Sequence, residues 1–287
     1  MLVSSFLIGY NKLIFYHWDF PFPLFLLSCH MFVSTVLTQV VAKYTVSSIP
    51  AVTNERIQLK NTYIYIIPLC ICQTASMVLS NMSYSYLTVS YIQMIKTITI
   101  VLVLVMSYFS GLITPSTLGL IIIFLVVGGV AVASTGEAPH SMLGVQLQLC
   151  GVFAESVRLV LTDWLMTNTS MDPFSLFYYT SPICLGILVP ACIYFELPLL
   201  PLDRILNYPF VLMIELNSIL AFAQEIAVLL LISHTSALSL SICGVAKDIL
   251  YLTCSALIVK TNHHATWLHS IGYGIALVGM VRRNYFQ

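Results

Sequence analysis

Apolar runs about as long as a bilayer is thick, separated by short polar breaks, recur from one end of this chain to the other. A helix rises about 1.5 Å per residue, so about 20 apolar residues cross the hydrocarbon core. Pro, Gly and polar breaks mark off ten segments, covering roughly 2–16, 22–43, 61–82, 86–109, 115–135, 142–166, 173–196, 208–232, 236–260 and 266–281. Only 8% of the 287 residues are charged, against about 25% in an ordinary soluble domain. We therefore expect an all-α membrane protein with ten transmembrane helices, whose first partner is the lipid bilayer. The first segment is short. Either it is a short span or residues are missing upstream.

Zero formal net charge implies no nucleic-acid partner. All eight cysteines fall in apolar runs and read as small buried hydrophobes. We find no nucleophile–base pair, no phosphate-cradling glycine loop and no metal-ligand spacing, so the chain reads as no enzyme, with no cofactor and no metal site. With ten spans both termini share a side. That side carries Lys43, Arg56, Lys60, Arg282 and Arg283, and the other carries Arg204 and Lys260. Positive loops stay inside, which places both termini in the cytosol.

One phrase occurs twice. Residues 85–96 read SYLTVSYIQMIK and residues 236–247 read SALSLSICGVAK, 151 positions apart. Ser85/Ser236, Leu87/Leu238, Ser90/Ser241 and Lys96/Lys247 are identical, and the same offset pairs Gln73 with Gln224 and Gly128 with Gly279. An offset of 152 pairs Pro21–Phe25 with Pro173–Phe177. Segments two to five thus echo segments seven to ten, which predicts two repeats, 1–141 and 142–287. Five helices per repeat is an odd number, so the second enters the membrane from the opposite face. Secondary transporters use this inverted arrangement.

Lys96 and Lys247 are matched by the repeat, and each falls near the middle of its segment. An isolated charge at such depth costs several kcal/mol. A water-filled cavity that receives an anion explains two of them; lysine–carboxylate pairs that only hold helices together are the alternative. Glu155 and Arg158 share one helix face at i,i+3 and form either a local ion pair or part of the same site. Asp248 follows Lys247 but points about 100° away, so it reaches either Arg158 or the cavity. Glu225 lies deep beside Gln224, and Glu215 and Asp163 lie nearer segment ends, where water reaches. With both signs present, proton relay stays open. Tyr178 and Tyr179 offer rings for a nucleobase, or pack in the bundle. Gln93 completes the candidate set. Gly119, Gly128, Gly129, Gly272, Gly274 and Gly279 permit close helix approach, within one chain by default, with a homodimer face as the alternative.

The stretches FPFPLFLLSCHM (20–31), NMSYSYLTVSYIQMIK (81–96), ESVRLVLTDWLM (155–166), FYYTSP (177–182) and HTSALSLSICGVAKD (234–248) carry a resemblance. The chain is similar to the triose-phosphate/nucleotide-sugar translocators of the drug/metabolite transporter superfamily. That resemblance implies the drug/metabolite transporter fold, ten helices in two inverted five-helix repeats, and obligate exchange of small anionic substrates. It implies a Golgi-type membrane, with endoplasmic reticulum or plastid as alternatives. By the same resemblance Lys96 and Lys247 contact substrate phosphate, and Tyr178 and Tyr179 occupy the stretch that helps hold a nucleotide. Asp248 departs from the sugar-phosphate carriers of plastids, in which an arginine follows the second lysine; the Lys-Asp pair is similar to a subgroup with poorly defined substrates. The expectation is an antiporter that exchanges nucleotide sugars or sugar phosphates for nucleoside monophosphate or phosphate by alternating access. A proton-coupled carrier using Glu225 and Asp248, or a membrane scaffold with the same fold, are the rival expectations.

Overall fold

A computed structural model of the chain describes residues 20, 22–45, 59–114, 141–169, 171–200 and 207–244, with positions 7, 10, 117, 120, 121, 124, 128 and 247 besides. It is helical throughout: α1 Pro23–Thr45, α2 Leu59–Ser83, α3 Val89–Lys96, α4 Ile98–Phe109, α5 Met142–Thr169, α6 Pro173–Phe195 and α7 Tyr208–His234. Residues 237–244 are helical as well, and there is no strand among the described residues. Six stretches are long and apolar enough to cross a membrane, with mean hydropathy from 1.2 to 1.9. They correspond to segments two, three, four, six, seven and eight. The first and tenth segments lie almost wholly outside the described residues, and the fifth and ninth partly so.

Large apolar side chains cover the outside of these helices. Phe109 is 82% exposed, Ile64 66% and Phe32 59%. A water-soluble bundle would turn such residues inward; here lipid is their solvent. Pro68 lies inside α2, and Pro182 and Pro190 inside α6, as membrane helices tolerate.

The chain divides into two compact units, each taking stretches from both halves of the sequence. The first comprises Met1–Val78 and Leu161–Thr235. In it α1 packs on α6 and α7. Phe20, Leu26, Leu200, Phe210, Met213 and Ile214 form an apolar cluster, with Phe20 and Phe210 edge to face at 4.9 Å. Deeper in, the helices meet through polar side chains. Asn217 Nδ2 lies 3.1 Å from His30 Nε2, both residues being buried. Thr38 and Ser181 oppose their hydroxyls at 3.5 Å. The Cys184 thiol faces the Cys70 carbonyl at 3.8 Å. Lipid gives no hydrophobic drive for helix association, so packing and hydrogen bonds such as these hold a membrane bundle.

The second unit comprises Leu79–Val160 and Ser236–Gln287. Here α5 runs against the end of α2 and the turn that follows it. A Cβ on Gly144 would stand 2.6 Å from Tyr86 Cβ and 2.8 Å from Leu87 Cγ, and one on Gly151 would stand 3.1 Å from Ser80 Oγ. Between the two glycines, Ser83 Oγ donates to Gln148 Oε1 at 2.5 Å. Close approach therefore occurs at Gly144 and Gly151. A Cβ on Gly128 would meet nothing within 4 Å among the described residues, and the tenth segment lies outside them.

Two expectations change. The fourth span begins later than 86: residues 84–88 form a turn and N-cap, and the helix that follows tightens at Thr97. Asp163 is buried rather than at a wet helix end, because α5 continues for six more residues, to Thr169, about 9 Å of helix. Among the described cysteines, Cys70, Cys184 and Cys192 are buried as expected, whereas Cys150 is exposed.

Candidate functional site

Thr97 creates the most distinctive local feature of the second unit. Its amide bonds back to Met94 O at 3.1 Å, three residues away, and Ile100 N bonds to Thr97 O at 3.2 Å in the same tight pattern. The Gln93 carbonyl receives the Thr97 hydroxyl, at 3.3 Å. The Thr97 backbone itself stays in the helical region, at φ −62° and ψ −25°, so the helix tightens there within one span, and Lys96 is the last residue of α3. Thr88 caps the other end of α3, its Oγ1 accepting the Tyr91 amide at 3.3 Å.

Lys96 lies seven residues past Val89, the first residue of α3, about 10 Å along the axis. It is half-buried, with Nζ 6.0 Å from the Tyr84 ring centroid, at the limit of a cation–π contact. In the same unit Leu87, Ile92, Ile95 and Val152 form an apolar cluster, with Tyr84, Tyr91, Leu102 and Val145 against it. Gln93, one turn before Lys96, is buried at 4% exposure, and its Oε1 has no hydrogen-bond partner among the described residues.

Lys247 belongs to the same unit and is helical and half-buried; Asp248 lies outside the described residues. Arg158 pairs with Glu155, as the i,i+3 spacing allows. Arg158 Nη2 donates to Glu155 Oε1 at 2.6 Å and Nε donates to Oε2 at 2.9 Å. This two-pronged geometry largely neutralises both charges. Among the described residues of the second unit, the other charged side chains are Lys96 and Lys247.

Tyr178 and Tyr179 belong to the first unit, half-buried on α6. Their rings are edge to face at 5.2 Å, and Tyr63 stands edge on to Tyr179 at 6.4 Å. Pro182 follows Tyr178 by four residues and has no amide to give, so the Tyr178 carbonyl loses its normal helical donor. Glu225 is half-buried in α7, and the Oε1 of its neighbour Gln224 is enclosed with no partner among the described residues.

Sequence reasoning did not find the tight turn at Thr97, the Gly144/Gly151 seam, the His30–Asn217 pair or the capping role of Glu196. The seam had a signal, two glycines seven apart on one helix face.

Apolar helices with lipid-facing surfaces define a multi-pass, all-α membrane protein. The chain belongs to the Triose-phosphate Transporter family, whose model matches residues 1–283. A probable sugar phosphate/phosphate translocator of Arabidopsis thaliana is 34% identical over 292 residues, covering 99% of this chain and 81% of the relative. A second Arabidopsis protein of that description is 34% identical over 268 residues, covering 93% of this chain and 77% of its own length. One solved crystal structure shares the fold, with TM-score 0.67 over 100% of this chain and 96% of that one, at 10% identity.

Proposed function

We propose that the protein is an antiporter that exchanges sugar phosphates for inorganic phosphate across an internal, Golgi-type membrane. The observation that carries this reading is that the Triose-phosphate Transporter family model matches residues 1–283, in a chain whose relatives are named as sugar phosphate/phosphate translocators and whose Lys96 and Lys247 fall in one compact unit. Those names favour sugar phosphates over nucleotide sugars as cargo. A phosphate dianion matches two ammonium groups in charge, and each ammonium offers three N–H donors.

In this reading ten helices form two inverted five-helix repeats, 1–141 and 142–287, with both termini cytosolic. Lys96 and Lys247 hold phosphate oxygens from symmetry-related positions. Asp248 lowers the positive charge beside Lys247, and Arg158, paired with Glu155, holds the wall of the site rather than the phosphate. Alternating access then exposes the loaded site to one side of the membrane at a time.

The test is counter-exchange in liposomes that contain the purified full chain. Vesicles loaded with phosphate should take up labelled phosphate and triose or hexose phosphate, and unloaded vesicles should not. Lys96→Ala and Lys247→Ala should abolish uptake while the protein keeps its cooperative thermal unfolding. Wild-type rates in either variant would remove the lysines from the site. Uptake that needs no counter-substrate would overturn exchange.

A further inference from the structure

We propose that the Gln93 carboxamide binds a hydroxyl of the carried ester, beside the phosphate held at Lys96. This rests on the reading of Lys96 as a phosphate-binding residue and adds the group that separates a hydroxylated ester from one without hydroxyls.

Three features carry it. Gln93 is 4% exposed, and its Oε1 is enclosed without a hydrogen-bond partner among the described residues. Native proteins pair almost all buried polar atoms, and an orphan marks a place where water or a ligand enters. Second, Gln93 and Lys96 lie three apart on α3, hence on one face. Helical side chains lean toward the N-terminus of their helix, so the lysine stem leads its ammonium back over the turn that contains Gln93. The proximity of Nζ to Tyr84, which precedes α3, shows that direction. Third, the Thr97 hydroxyl occupies the main-chain carbonyl of Gln93, so the carboxamide is what this residue has left to offer.

The chemistry is selective. An ammonium donates three N–H bonds and carries charge, which suits phosphate oxygens. A carboxamide is neutral and offers both an acceptor and donors. A hydroxyl also donates and accepts, so the two pair in either orientation of the amide. An apolar carbon chain at the same point leaves the buried carboxamide unsatisfied, and sites built to bond a substrate hydroxyl reject analogues that lack it for that reason.

The experiment compares two esters that share one phosphate group, glycerol 3-phosphate and propyl phosphate, as substrates for phosphate-loaded liposomes containing the full chain. Wild type should favour glycerol 3-phosphate by about tenfold in apparent KM, the worth of one good hydrogen bond. Gln93→Met, of similar length and without polar atoms, should bring that ratio close to one. Gln93→Glu keeps an acceptor, so it should preserve the preference while raising KM for both anions; it also serves where Gln93→Met fails to unfold cooperatively. An unmoved ratio in Gln93→Met, an equal rise of both KM values there, or a wild type that does not distinguish the esters overturns the role of Gln93. A wild type that exchanges neither ester nor phosphate overturns the transport reading itself.

Discussion

Glu196 holds the first turn of α1 through Leu24, whose amide donates to Oε1 at 2.9 Å across 172 residues of sequence. The Phe25 amide donates to the other oxygen, Oε2, at 2.7 Å. The first turn of a helix has amides without intrahelical partners and carries partial positive charge, and α1 has no acidic residue of its own there. A carboxylate just past the end of α6 supplies both acceptors, which fixes α1 antiparallel to α6.

Glu196→Leu should leave two amides unsatisfied and lower stability by about 1–3 kcal/mol, read as a drop in the unfolding temperature of detergent-purified protein. The pH dependence has a definite sign. Burial raises the Glu196 pKa above its ordinary 4.5, and this outweighs the two amides, which lower it. A raised folded-state value means that the group's contribution is fully present below about 4.5 and declines as pH rises through the folded-state value. Wild type should therefore lose some stability as pH climbs above 4.5, and Glu196→Gln should flatten that slope. An identical slope in Glu196→Gln would refute the assignment.

Gly144→Ala should destabilise by about 1–3 kcal/mol, because the new methyl group must displace the Tyr86 Cβ and the branched end of Leu87. Gly151→Ala should cost less, since the nearest atom, Ser80 Oγ, can rotate away. Gly128→Ala meets no described residue and should leave stability level or slightly raised. Thermal unfolding of the three variants ranks them.

Thr97→Val keeps the shape of the side chain and removes the hydroxyl that occupies the Gln93 carbonyl. The tight turn at Thr97 should then relax toward regular helix and carry Lys96 away from its present position. Exchange should fall by about tenfold or more, since small misplacements of a binding group are expensive, with unfolding temperature level or higher. Thr97→Ser should restore activity. Full exchange in Thr97→Val would show that the tight turn is incidental.

His30→Leu and Asn217→Leu should each cost about 1–3 kcal/mol by leaving a buried partner unsatisfied, and the double variant should cost less than their sum. Additive losses in that cycle would deny the pair any interaction of its own.

Six spans were legible because length and apolarity alone decide whether a helix crosses a bilayer; Pro173–Phe195 and Tyr208–His234 fall where the breaks predicted. The tight turn at Thr97 was not legible. It depends on which donor wins the Gln93 carbonyl, and a threonine within an apolar run is compatible with a regular helix. Arg158 was legible as one member of an i,i+3 pair, and the structure shows that pair closed. Gln93 was legible as a polar residue one turn from a deep lysine, but its enclosed oxygen is a property of packing. Glu196 read as the end of a segment, because nothing local tells a carboxylate that it will cap a helix starting 172 residues earlier.

The interleaving of the two compact units has a consequence for biosynthesis. The ribosome delivers α1 to the insertion machinery about 150 residues before α6, its main packing partner, roughly ten to thirty seconds at ordinary elongation rates. Throughout that interval α1 sits in the bilayer with its first amides waiting for Glu196. The newborn first half is thus an unfinished client, exposed to quality-control proteases until the second half arrives.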